Sequence, residues 1–142
     1  MYLSKQQIIA ANDRVTEDVA VPEWAPTGVD PATCFVRVRS LSGTQRDAFE
    51  ASMMGSVGTD GARKPNLVNM RARFCAQVMV DDTGARMWSD AEVELLGDRS
   101  AAALDRVYTV GQRLSSAGDA AVTAIAKNSS AGQPDASPSI SA

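Results

Sequence analysis

The sequence predicts an α+β domain, mostly helical with about five helices, carrying a small antiparallel two-stranded element near its N-terminus. Three observations carry that prediction. Alanine, the strongest helix former, supplies 23 of the 142 residues. Two short segments in the first third of the chain alternate apolar and polar side chains with the period of a strand. The later segments open on Ser or Asn caps and then repeat apolar residues at three- and four-residue spacing.

In order along the chain, Ser4 fits as the cap of a short helix carrying Ile8 and Ile9 and ending near Asn12-Asp13. Over 15–21, Val15, Glu17, Val19 and Val21 share one parity and Thr16, Asp18 and Ala20 the other; Pro22 stops this strand. Pro26, Gly28 and Pro31 make 23–33 a connecting loop. In the clearest strand, 34–39, Cys34, Val36 and Val38 lie on one face and Phe35, Arg37 and Arg39 on the other. It is expected to pair antiparallel with the first. Ser42-Gly43-Thr44 opens a helix to about Met54, with Ala48, Phe49, Ser52 and Met53 as its apolar stripe.

The glycine-rich stretch 55–65 predicts a flexible loop. Asn66 is expected to cap the next helix, with Leu67, Met70, Phe74 and Val78 in its stripe and Arg71 and Arg73 flanking it. Asp81-Asp82-Thr83-Gly84 reads as a turn. Ser89-Asp90-Ala91-Glu92 has the capping-box pattern, opening a two-turn helix that Gly97 stops. Ser100 caps the longest helix, which places Leu104, Val107, Tyr108, Gly111 and Leu114 on one side. Asp119 starts a last short one. From Ser129 the composition falls to Ser, Ala, Gly and Pro with one charge, Asp135, so the chain divides into a domain over 1–128 and a disordered tail over 129–142.

Composition removes several function classes. A net charge of -3 argues against binding nucleic acid by phosphate neutralisation. With no histidine there is no Ser-His-Asp or Cys-His site and no imidazole to ligate a metal. Cys34 and Cys75 cannot make a four-sulfur zinc site and fall on apolar faces, where cysteine acts as a small core residue. The start of the chain has no apolar signal region, and no apolar run approaches the ~20 residues of a membrane span. A cytosolic protein with reduced thiols is expected. Subtracting alanine leaves 40 larger apolar residues, a thin core that points equally to marginal stability or completion by a partner and to a simple stable monomer.

Local motifs yield no catalytic site, no cofactor site and no metal site. In the 55–64 segment the glycines stand three apart with no Lys-Ser/Thr after them, unlike a phosphate-binding loop. Asp81-Asp82 lacks the alternating ligands of a calcium loop. Glu92 and Glu94, two apart on a helix, point to different faces and do not form an acid–base pair. Candidate partner-binding residues remain. Phe35, Arg37 and Arg39 project from one strand face, Arg71 and Arg73 line a helix, and Trp24 sits at an element boundary where tryptophan acts as a core lid or an interface anchor.

The order of short motifs carries more than any one of them. Ser4-Lys5 with Ile8-Ile9-Ala10-Ala11 is followed by Thr16-Glu17 leading to Val21-Pro22-Glu23-Trp24, then Val36-Arg37-Val38-Arg39 with Leu41, Gly43 and Arg46-Asp47-Ala48-Phe49-Glu50. Next come Asn69-Met70-Arg71-Ala72-Arg73, Val80-Asp81 with Gly84, Ser89-Asp90-Ala91-Glu92-Val93 and Leu96-Gly97. Ser100-Ala101-Ala102-Ala103-Leu104-Asp105-Arg106-Val107 and Gln112-Arg113-Leu114-Ser115 close the series. Over roughly 4–128 this resembles the tail assembly chaperone family of long-tailed, siphovirus-type bacteriophages.

The resemblance implies a non-enzymatic assembly factor of the host cytoplasm, absent from the mature virion and self-associating into a homo-oligomer. Its implied partners are the phage tape measure protein, whose long apolar helix it keeps soluble, and the major tail tube protein, reached through a longer product of a programmed frameshift. The methionines Met53, Met54, Met70, Met79 and Met87 suit the adaptable packing such a role needs. An alternative from another class is a structural tail component, a tube or terminator subunit retained in the particle. A small DNA-binding protein fits least, because the charge is wrong and no helix-turn-helix spacing stands out.

Overall fold

A computed structural model describes residues 1–116. The helix expected from Asp119 and the tail expected over 129–142 lie outside the described residues. Within them the fold is α+β with five α-helices, as the sequence predicts, and two small antiparallel sheets.

Helix α1 (Lys5–Ala10) starts as expected: Ser4 Oγ accepts from the Gln7 N–H at 3.2 Å, and Gln7 Oε1 accepts from the Ser4 N–H at 2.8 Å. Strand β1 (Thr16–Ala20) pairs antiparallel with β2 (Phe35–Arg39), with Val19 opposite Val36 and Glu17 opposite Val38. Val19 and Val38 are buried on the inner face. On the outer face Arg37 Nε meets Asp18 Oδ1 at 3.1 Å. The sheet has a third strand, β5 (Met79–Val80), which adds to the other edge of β2. The expected two-stranded element is thus three-stranded. The added strand is two residues long and continues directly from a buried helix, so its apolar residues blend into the helical stripe.

Helix α2 (Gly43–Ser52) is capped by Ser42, and Met53 ends it. The 55–65 stretch is a hairpin rather than a loop: β3 (Met54–Val57) pairs with β4 (Arg63–Pro65). Its glycines are structural requirements. A Cβ at Gly55 would lie 1.9 Å from the Lys64 carbonyl oxygen, and Gly61 turns the chain at φ +80. Helix α3 (Met70–Val78) begins three residues later than its expected start, because Asn66 Oδ1 closes a local turn by accepting from the Val68 N–H at 3.2 Å. Asn69 then enters the helix at φ 51, and Leu67 stays outside the helix and exposed.

Helix α3 is the centre of the molecule. Ala72, Phe74, Cys75, Ala76 and Val78 are all buried, packing against α2, α4 (Val93–Gly97) and α5 (Ala101–Ser116). Ahead of α4, Glu92 Oε1 accepts from the Ser89 N–H at 2.9 Å, and that bond holds the Glu92 carboxyl below its ordinary value. In α5 the predicted side is the inner one: Leu104, Val107 and Gly111 are buried, with Tyr108 and Leu114 half-buried. Gly111 permits the close approach of α3, since a Cβ there would lie 2.7 Å from Phe74 Cε2 and 3.1 Å from Val78 Cγ2. Two arginines then clamp α5 to the sheet edge. Arg113 Nη2 meets the Glu17 carboxylate at 2.7 Å. Arg106 donates to the Ala20 carbonyl at 2.7 Å and to Glu23, whose carboxyl is lowered chiefly by that hydrogen bond.

Candidate interaction surface

The core is mostly valine and alanine, with Cys75, Met79, Leu96, Leu104 and a single phenylalanine, while α1 and α2 contain no buried residue. The apolar side chains left over collect on the surface. Two grooves flank the 66–69 turn. The first, of about 560 Å³, runs between α2, that turn, α3 and the segment leading into α4; Phe49, Val68, Ala91 and Val93 supply its apolar walls and Asp90 and Glu94 its acidic edge. The second, of about 740 Å³, lies on the other side, where Leu67, Met70 and Leu104 meet Arg71, Arg99 and Asp105. Leu67 and Val68 form the ridge between them, 60% and 73% exposed.

The residues singled out in the sequence are spread over the fold rather than gathered. Phe35 and Arg37 do share an exposed face of β2, with Phe35 56% exposed. Arg39 is half-buried and reaches the Gly84 carbonyl at 3.5 Å. Trp24 is half-buried against the core from a 3₁₀ turn, Pro22–Trp24, and its indole N–H is buried without a partner among the described residues; Trp88 is placed likewise. Arg71 and Arg73, two apart on α3, diverge. Arg71 Nε binds Asp105 at 2.9 Å with its guanidinium 5.2 Å over the Tyr108 ring, a cation–π contact. Arg73 turns toward α2 and spends its fork on carbonyls: Val68 at 2.9 Å and Ser52 at 2.6 Å, with Asn66 as the third. Its guanidinium is thereby a strut of the first groove.

Sequence reasoning missed two parts of this surface. It assigned Leu67 to a buried stripe, because the Asn66 turn that excludes it depends on a side chain choosing Val68 over a helix cap. It also passed over α1 as a site. The signal was present, since Ile8 and Ile9 stand adjacent on a helix too short to bury both.

Chemically the region offers contact rather than reaction. Burial pushes the Cys75 thiol up to about 12, and its Sγ approaches the Leu104 carbonyl at 3.4 Å, so almost no thiolate forms near neutral pH. In the native protein Cys75 is expected to resist iodoacetamide at pH 8 while half-buried Cys34 is modified first. Peptide mass mapping before and after denaturation checks this, and native labelling of Cys75 at the rate of Cys34 contradicts it.

No family model matches the sequence, and no curated protein does. Among solved structures, that of the bacteriophage HK97 tail assembly chaperone is similar, with a TM-score of 0.50 and 18% sequence identity over 77% of this chain and 94% of that one. The α-helical core, the small sheet and the grooved surface therefore make up a chain with the fold of a phage tail assembly chaperone.

Proposed function

We propose that the chain is a non-enzymatic tail assembly chaperone of a long-tailed phage, working in the host cytoplasm and left out of the finished particle. It binds the tape measure protein, keeps its long apolar helix soluble, and helps bring tail tube subunits to it. It self-associates in doing so. The observation that carries this reading is the likeness to the HK97 chaperone, which spans nearly all of that chain. The surface supports it: the second groove, walled by Leu67, Met70 and Leu104, suits the apolar face of an amphipathic helix laid in along its length. A buried, protonated thiol and arginines committed to carbonyls and carboxylates leave contact as the available chemistry.

Coexpression with the cognate tape measure protein tests the reading. The tape measure protein is expected to move from the insoluble to the soluble fraction and to copurify with this chain. Unchanged solubility, or recovery of this chain from purified virions, would count against it.

A further inference from the structure

We infer that the segment 1–11 is a docking arm, and that it seats in the first groove of a second copy of this chain. The inference rests on the self-association proposed above and gives it a site. Every residue of 1–11 is exposed, including five large apolar ones: Met1 (99%), Tyr2 (101%), Leu3 (61%), Ile8 (60%) and Ile9 (75%). A six-residue helix is marginal in water, so a capped one presenting Ile8 and Ile9 to solvent lacks its packing surface. Leu3 and Ile8 stand at the two positions that a hydrophobic staple joins around the Ser4 cap, making one apolar wedge beside Ile9.

The groove is open in the same chain. Phe49, Val68, Ala91 and Val93 line it, with no other segment over them among the described residues. The charges are complementary. Lys5 is the arm's one charged side chain, and among the described residues it makes no ion pair. At the groove Asp90 is paired with Arg86, and Arg73 is bound to carbonyls, which leaves Glu94 as the uncommitted charge. Arg14 pins the chain just after the arm, donating to the Ser40 carbonyl at 2.9 Å and to Gln45, which itself donates to the Gln77 carbonyl at 3.1 Å. Only residues 11–13 separate that pin from the helix, so the arm leaves the body in a set direction, and a second chain satisfies both open surfaces. Arm and groove are different patches, so the contact is head-to-tail and propagates into a ring or an open chain.

Light scattering on the full chain across a wide concentration range tests this. The wild type is expected to assemble beyond a dimer. The arm variant Ile8→Asp/Ile9→Asp and the groove variant Ala91→Arg should each be monomeric. Mixed in equal amounts they should give a species of twice the monomer mass and nothing larger, because one intact arm then meets one intact groove. Heterodimer formation also shows that each variant has kept the surface it contributes. Lys5→Glu and Glu94→Lys should each weaken assembly and together restore it. An arm variant that assembles like the wild type overturns the arm while leaving self-association standing. A wild type that stays monomeric throughout overturns both. Failure of the mixed variants to pair overturns the head-to-tail contact.

Discussion

Phe74→Ala is expected to be the most damaging single truncation in the domain, lowering the free energy of unfolding by about 3–5 kcal/mol in a denaturant titration. The ring is 3% exposed and sits edge-on to two others, with centroids 5.2 Å from Phe49 and 5.0 Å from Tyr108. Each such pair adds roughly 0.5–1.5 kcal/mol beyond the buried area. Relaxation offers little relief. Gly111, which lies directly against the ring, has no side chain to swing into the space. Against a total stability of about 5–15 kcal/mol, one ring accounts for about a fifth or more.

The same contact predicts a coupling. Gly111→Ala alone drives a methyl to 2.7 Å from Phe74 Cε2, a clash that outweighs the better helix propensity of alanine. With Phe74→Leu beside it the methyl gains room, so the double variant should lose less than the sum of the singles. A Phe74→Ala protein that unfolds at the wild-type denaturant midpoint contradicts this account of the core.

What the sequence could show, and what it could not, follows from the range of each determinant. Caps and periods are local, and so the starts of α1, α2 and α5, the β1–β2 pairing and the inner side of α5 were legible from residues a few positions apart. The hairpin was misread because its glycines carry two meanings: freedom in an isolated chain, and close backbone approach once Lys64 comes to lie opposite Gly55. Strand β5 was invisible for lack of length. The surface was legible in part. Phe35 and Arg37 fall on an exposed strand face by period alone. The split between Arg71 and Arg73 depends on partners 34 and 21 positions away, Asp105 and Ser52, which no spacing rule reaches.

That split sets up the second large effect. Arg73→Met keeps the aliphatic stem and deletes the fork that holds Val68, Asn66 and Ser52. Hydrogen bonds from a charged donor are worth about 1.5–3 kcal/mol each, but these carbonyls lie near the surface and water can replace part of the set, so a net cost of about 2–3 kcal/mol is expected. The loss should be regional before it is global. Ser52 precedes the hairpin and Asn66 follows it, so Arg73 fastens both of its roots to α3; the remaining tie is the Asn66 N–H to the Met53 carbonyl at 2.7 Å. A two-stranded hairpin has little stability of its own. Native-state amide exchange at Asn66, Gly58 and Gly61 should therefore accelerate in Arg73→Met under conditions where α3 and α5 remain protected. Arg73→Lys should recover little of this, because an ammonium meets one carbonyl where the guanidinium meets three. A variant with wild-type stability and exchange that fails only to bind a partner would show the opposite, that the arginine serves the surface and not the frame.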